Sequence, residues 1–277
     1  MVIRELIKET SLSLSSLENY MFESHLIVRT VLKKSPMDLV LSHQDEVGNA
    51  DIETVRSYAK RRLLGEPLQY ILGSWEFMGL EFFVEKNVLI PRSDTEVLVE
   101  TALRHIKKDG ATVLDIGAGS GAVGLAIAKN NDRVYLRGLD VSDDALRLSK
   151  KNAENLELDK RAIFQKCDIL KDNVPGKYDV IVSNPPYIKT DVIPTLMTEV
   201  KDFEPNLALD GGADGLIFYR RITEIAPSLL NKRGLLAFEI GFDQADAVSD
   251  LMKENFRDIN VIQDLSGNDR VVSGILK

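Results

Sequence analysis

Asn184-Pro185-Pro186-Tyr187 is the stretch whose residue types point most directly at chemistry. It follows Tyr178-Asp179-Val180-Ile181-Val182-Ser183, an apolar run that reads as a buried strand. Two prolines donate no N–H and lock φ, so the strand has to end there in a stiff loop. In an open α/β sheet, that carboxyl edge is where ligands bind. An Asn side-chain oxygen and the carbonyls of a rigid Pro-Pro turn are acceptors with little freedom to move. They are suited to holding an –NH2 group by its hydrogens with its nitrogen aimed at an electrophile. The plainer alternative, a turn that only ends a strand, leaves the motif upstream without a use.

That upstream motif is Val113-Leu114-Asp115-Ile116-Gly117-Ala118-Gly119-Ser120-Gly121. A short apolar strand runs into a glycine-rich turn, and a helix follows from Ala122 to Lys129. Glycines permit φ > 0 and let a ligand approach the backbone closely. A second strand, Val134 to Leu139, ends in Asp140 and Val141. An acid at the end of the second strand is placed to accept from both hydroxyls of a ribose. A third run, Ala162 to Asp168, again ends on an acid. The resulting rim, Asp115, Asp140 and Asp168, is acidic and seeks hydrogen-bond donors.

Gly119-Ser120-Gly121-Ala122-Val123-Gly124 also fits G-x-G-x-x-G, the dinucleotide fingerprint. A pyrophosphate there would lie beside Asp115, and like charges repel. A cationic ligand would instead welcome that acid. S-adenosylmethionine fits better, with a ribose for Asp140, an adenine near Asp168 and an ammonium near Asp115. Hydride transfer also leaves the Asn-Pro-Pro-Tyr loop idle.

The elements that must carry these residues follow from pattern and composition. The chain has 277 residues, 44% hydrophobic and 28% charged, enough for a sizeable core in one or two domains. Its formal net charge of -8 counts against unaided tight binding to a phosphate backbone. The basic cluster Lys60-Arg61-Arg62 reads as a solvated helix face. No apolar run approaches the roughly 18 residues of a membrane span, and the N-terminus is not a secretory signal. A single cysteine, Cys167, excludes an internal disulfide framework and reads as a space-filler at a strand end. The expected compartment is the cytoplasm.

Residues 1–72 show helical periodicity, with Ser35-Pro36 and Gly48-Asn49 as punctuation. Nine Lys/Arg against ten Asp/Glu leave this region near neutral, which suits packing or recognition. Residues 73–90 change character: Trp75, Phe77, Phe82 and Val84 alternate around Met78-Gly79, a β-hairpin linker. Residues 91–277 alternate strand and helix in doubly wound fashion. Further strands read at 235–240, 260–263 and 270–276, and helices at 142–155, 215–230 and 243–256. The predicted class is α/β, a seven-stranded, mostly parallel sheet closed by an antiparallel hairpin.

Gly65-Glu66-Pro67-Leu68-Gln69-Tyr70-Ile71-Leu72-Gly73, Glu76-Phe77-Met78-Gly79 and Val88-Leu89-Ile90-Pro91-Arg92-Ser93-Asp94-Thr95-Glu96 extend the pattern. With the glycine turn, Asp140, Asn184-Pro185-Pro186-Tyr187, Glu204-Pro205 and Gly211-Gly212-Ala213-Asp214-Gly215-Leu216, they resemble the HemK/PrmC-type peptide chain release factor glutamine methyltransferases. The resemblance is close over residues 65–277 and rests on length and character before that. It implies a class I, Rossmann-like methyltransferase domain with a small N-terminal helical domain for substrate recognition. It implies methyl transfer from S-adenosylmethionine to the side-chain amide nitrogen, N5, of the glutamine in the Gly-Gly-Gln motif of release factors, leaving S-adenosylhomocysteine. Carried over, Gly117, Ala118, Gly119, Ser120 and Gly121 border the methionine moiety, Asp140 and Val141 the ribose, and Asp168 the adenine. Asn184 and Pro185 bind the glutamine amide, with Pro186 and Tyr187 beside it. Some relatives carry another side chain at Asp168.

A sulfonium donor already carries the activating charge, so neither a metal nor a strong general base is expected. His25, His43 and His105 therefore read as solvated surface. Arg92 and Thr95 either close over the methionine end or serve as a turn and a helix cap. Glu239, at another strand end, reads as a structural salt bridge in preference to a pocket residue. Residues 188–214 form a long excursion, a movable cover or a packed irregular loop. Two rivals remain. DNA adenine-N6 or cytosine-N4 methyltransferases use related loops, but they need a basic target-recognition region that this acidic chain lacks. A donor sensor without catalysis would have no use for the Asn-Pro-Pro-Tyr loop.

Overall fold

The computed structural model describes residues 1–107 and 109–277. The chain forms two compact units, Met1–Gly73 and Ser74–Lys277.

The first unit is helical: α1 Ile3–Ser13, α2 Tyr20–Val31, α3 Pro36–Leu41, α4 Asn49–Leu63 and α5 Leu68–Leu72. Ser35 caps α3, its Oγ accepting from Asp38 N at 3.1 Å, and Pro36 takes the first helical position, where a missing N–H costs nothing. Ile3, Leu6, Ile27, Val28 and Val55 are all but fully buried and form the seam between helices. The basic cluster on α4 departs from the solvated face expected of it. Arg62 is 6% exposed and gives Glu23 two hydrogen bonds, of 2.7 and 3.1 Å. Arg61 grips Glu66 at 2.7 and 2.8 Å. Sequence spacing does not reveal a partner 39 residues away on another helix, so Arg62 looks free when read alone.

In the second unit, β1 Ser74–Phe77 and β2 Leu80–Phe83 pair antiparallel around Met78-Gly79. Both turn residues have positive φ, 53° and 70°, which a two-residue hairpin of this hand requires. The hairpin packs into this unit. Phe77 and Phe82 are buried edge to face, with centroids 6.1 Å apart, and join the core formed by α6 Glu96–His105, α7 Ala122–Asn130 and α8 Asp143–Asn155.

Among the described residues, seven strands form the main sheet, in the order β5-β4-β3-β6-β7-β9-β8. They are β3 Thr112–Ile116, β4 Tyr135–Asp140, β5 Ala162–Lys166, β6 Tyr178–Ser183, β7 Leu230–Glu239, β8 Phe256–Gln263 and β9 Asp269–Leu276. The first five run parallel, and β9 pairs antiparallel with both β7 and β8. Alternation along the strands divides the core. Val113, Val180 and Val182 face α6–α8, whereas Leu114, Ile116 and Ile181 face α10 Ile217–Leu229 and α11 Ala245–Met252. Both faces are covered, which is why these strands read as continuous apolar runs. A short α9, Thr198–Lys201, lies in the excursion after β6. The helix expected over 243–256 stops at Met252, because Phe256 instead opens β8 and is buried against α10 and α11. Among the described residues, no helix is long and apolar enough to cross a membrane.

Candidate active site

The strand order reverses at β3. The chain leaves it for β4 and then β5 on one side, and returns to lay β6 on the other. The crevice beyond the carboxyl ends of β3 and β6 is where such sheets hold ligands. A cavity opens there. Asp115, Gly117, Ala118, Gly119 and Ser120 line it from the β3 end, Asp140 and Val141 from β4, and Cys167 and Asp168 from β5. Asn184, Pro185 and Pro186 line it from β6, and Arg92 and Thr95 from the segment before α6. The two loops meet: a Cβ built on Gly117 would lie 3.9 Å from the Asn184 carbonyl oxygen.

Two of the sequence-predicted residues are not in the wall. Gly121 caps α7 in the left-handed region, φ +82°. A Cβ there would stand 2.9 Å from Leu125 and 3.1 Å from Phe164, so helix–sheet packing requires a glycine at this position. Tyr187 packs against the α10–α11 side of the core, and its carbonyl accepts from Gln244 Nε2 at 3.0 Å. Burial pushes its phenol well above the ordinary range.

The acids behave differently from one another. Asp115 is 1% exposed. Burial is the main reason its carboxyl is pushed up to about 7, the Gly124 N–H (3.0 Å to Oδ2) opposing and Asp140 adding to the rise. Asp140 accepts from Gly119 N at 2.8 Å and from Ser142 N at 2.9 Å. Burial nevertheless raises its carboxyl too, against those backbone donors. The two oxygens retain lone pairs for further donors, and the Gly119 bond ties the acid to the glycine turn. Asp168 lies at the rim, with one oxygen on Leu170 N (3.1 Å) and the other on Lys171 Nζ (2.7 Å). Lys171 is the main reason its carboxyl sits below the usual range.

Asn184 is half-buried and donates through Nδ2 to Thr95 Oγ1 at 3.4 Å. Ser183, just before it, fixes the strand end by donating to Ile116 O at 2.7 Å. Thr95 is 4% exposed and makes no side-chain cap for α6; its hydroxyl oxygen accepts from Asn184 instead. Arg92 holds both oxygens of Glu204, at 2.8 and 2.7 Å. Glu204 belongs to the 188–214 excursion, which also lends Pro205, Leu207 and Ala208 to the cavity wall. That excursion is bonded to the loop it follows. Ile188 N donates to Leu209 O (3.0 Å) and Gly211 N to Ile188 O (2.8 Å). At Gly215, just after it, a Cβ would stand 2.4 Å from the Tyr187 carbonyl oxygen.

Sequence reading missed Gln244 altogether and weighed Glu204 and Glu239 without their partners. Glu204 ties the excursion to Arg92. Gln244 holds the backbone of Tyr187 and accepts from Gly241 N at 3.0 Å. Glu239, the last residue of β7, is 2% exposed and adjoins Thr95 and Asn184, which hold its charge in place against burial. Among the described residues it forms no ion pair; the salt bridge expected of it goes instead from Arg270 to Asp264 (3.0 Å) and Asp94 (3.3 Å). Its position at a strand end was the available signal. The histidines all lie outside the cavity lining; His105 is half-buried, and burial lowers its imidazole.

Similarity to known proteins agrees with this geometry. Residues 5–73 match the PrmC N-terminal domain family, and residues 93–200 the methyltransferase small domain family. A release factor glutamine methyltransferase of Clostridium acetobutylicum is 43% identical over 262 residues, spanning 93% of this chain and 92% of that protein. One from Clostridium botulinum is 39% identical over 278 residues, 98% of each. The crystal structure of a methyltransferase from Pyrococcus furiosus superimposes with a TM-score of 0.54 at 19% identity, over 71% of this chain and 89% of that one, and shares the fold. The sheet is thus a Rossmann-like methyltransferase sheet, and the chain belongs to the release factor glutamine methyltransferase family.

Proposed function

We propose that this enzyme transfers a methyl group from S-adenosylmethionine to the N5 side-chain nitrogen of the glutamine in the Gly-Gly-Gln loop of class 1 release factors. One observation carries the reading. A single cavity joins the glycine turn and Asp140 to the Asn184-Pro185-Pro186 loop, with the Asn184 carbonyl facing the side of Gly117 where a Cβ would stand. The residues fit the donor: a carboxylate for a ribose, glycine backbone for close approach, and acids for an ammonium, with Asp168 and Val141 at the nucleoside end.

When bound, S-adenosylmethionine supplies an electrophilic sulfonium methyl. The chain's own work is on the acceptor. Asn184 Oδ1 and the Pro185 carbonyl take the two amide N–H groups, drawing the nitrogen lone pair out of conjugation and aiming it at the donor end. The same oxygens stabilise the positive charge that grows on nitrogen. Pro186 keeps the loop stiff, and Tyr187, packed on the α10–α11 side of the core, anchors it from behind. Alignment of this kind is worth roughly 7–11 kcal/mol over the solution encounter. The methylated nitrogen is strongly acidic and gives its proton to water.

In this reading residues 1–72 recognise the release factor outside the glutamine loop, the 73–90 hairpin connects, and residues 91–277 perform catalysis, in the cytoplasm. The acidic chain and its release factor methyltransferase relatives favour this reading over the DNA amino-methyltransferase alternative. The test is mass spectrometry of a purified release factor after incubation with enzyme and donor, with duplex DNA as a parallel substrate. One added methyl on the Gly-Gly-Gln glutamine is the expected result. Label on the DNA and none on the release factor refutes it.

A further inference from the structure

Glu239 presents a problem that the reaction as described does not use. A buried carboxyl normally has its oxygens satisfied. Here, among the described residues, Oε2 has no hydrogen-bond partner, although the residue is 2% exposed. Its backbone is pinned: the Tyr219 hydroxyl donates to the Glu239 carbonyl at 2.9 Å. The neighbouring cation, Arg270, is engaged by Asp264 and Asp94. What the Glu239 side chain does face is Thr95 and Asn184.

Asn184 has two ends of opposite character. Only Oδ1 can accept an N–H from a substrate amide; with Nδ2 turned outward, N–H would meet N–H. Thr95 Oγ1 already accepts Nδ2 at 3.4 Å, a long bond that does little by itself to choose the orientation. A carboxylate is an acceptor only, so beside the same amide it favours Nδ2 inward and Oδ1 outward. We propose that Glu239 and Thr95 are positioning residues that set the side-chain amide of Asn184 with its oxygen towards the acceptor glutamine. This rests on the methyl-transfer reading and adds to it a control over one rotamer.

The carboxyl is also poised to report its own role. Burial, first, raises Glu239 to about 7; Asp94 adds to this, while Thr95, Arg270 and Asn184 oppose it. Tyr187 and Tyr219 also face it, both with phenols held neutral by burial. Once protonated, Glu239 can donate to Asn184 Oδ1 and turn Nδ2 outward. Activity therefore falls as pH drops through about 7. Asp115 titrates in the same range, so the informative quantity is the difference between variants.

The experiment compares wild type, Glu239→Gln, Thr95→Val, Thr95→Ser and Asn184→Ala in methyl transfer to a purified release factor from about pH 5.5 to about pH 9, with calorimetric donor affinity and thermal melting alongside. Gln can offer Asn184 either a donor or an acceptor. Glu239→Gln is expected to lower kcat roughly tenfold to a hundredfold, with donor Kd within about threefold, and to lose part of the wild-type fall in rate below neutral pH. Thr95→Val is expected to lose rate similarly, and Thr95→Ser, which restores the hydroxyl, to recover most of that loss. Wild-type kcat and pH profile in Glu239→Gln, while Asn184→Ala is inactive, overturn the positioning role and leave the function standing. If Glu239→Gln melts too low to assay, the Thr95 pair decides: equal rates for Val and Ser overturn the proposal. Failure of wild type to methylate the release factor overturns both readings.

Discussion

The two loops that meet over the β3–β6 crevice are built on different principles. The glycine turn after β3 works through backbone: Gly119 N binds Asp140, and Gly124 N binds Asp115. The Asn184-Pro185-Pro186-Tyr187 loop works through side chains fetched from afar: Thr95, Glu239 and Gln244 hold its side chain and its carbonyl. A ligand that varies little can be gripped by backbone, which any sequence supplies. Activating a weak amide nucleophile needs one amide oxygen pointed one way, and only specific side chains can do that. The donor loop should therefore respond to substitution in stability and affinity, and the acceptor loop in turnover.

The largest expected effect tests the donor side. Asp115→Asn removes a buried charge. Below pH 3.8 the carboxyl is neutral folded and unfolded, so the variant and wild type match. As pH rises towards about 7 the unfolded chain releases a proton that the folded chain keeps, and wild type loses stability. Above neutrality Asp115→Asn should be the more stable in donor-free urea denaturation, by up to roughly 4 kcal/mol. A stability difference between variant and wild type no larger at about pH 8 than at about pH 4 breaks the account of Asp115.

Next is Asn184→Ala, expected to lower kcat about a hundredfold to a thousandfold, as loss of one preorganised transition-state hydrogen bond does, with donor Kd nearly unchanged. Comparable losses in both would erase the contrast between the loops. Asp140→Asn should do the reverse, weakening donor binding roughly tenfold to a hundredfold in calorimetry, with kcat at saturation far less affected. Gly121→Ala sharpens the division within the donor turn. It should cost about 2 kcal/mol of stability through left-handed strain and crowding against Leu125, while the folded variant keeps its donor affinity.

The elements with local signatures were legible from sequence. The β3–turn–α7 unit, Asp140 after its strand and the proline stop after β6 each need only a few consecutive residues. The final β8–β9 pair was legible too, apart from where it starts, because nothing local says that Phe256 prefers a strand edge in the core to one more helical turn. What sequence could not reveal are pairings across the chain. Arg92 and Glu204 are 112 residues apart, Asn184 and Thr95 89, and Gln244 and Tyr187 57. No local pattern in the sequence pairs these side chains. The packing demand at Gly121 was hidden for a related reason: its neighbours Leu125 and Phe164 are set by how α7 lies on the sheet, not by the glycine pattern.

The Arg92–Glu204 ion pair has a kinetic corollary. It fastens the 90–92 stretch to the excursion after β6, and both border the same cavity. Glu204 is almost wholly buried there while Arg92 remains partly open to solvent, so dissolved ions reach the clasp from one side. The residence time of a spent nucleoside should therefore shorten severalfold between low and high ionic strength, a stopped-flow observable, and Arg92→Ala should abolish that dependence.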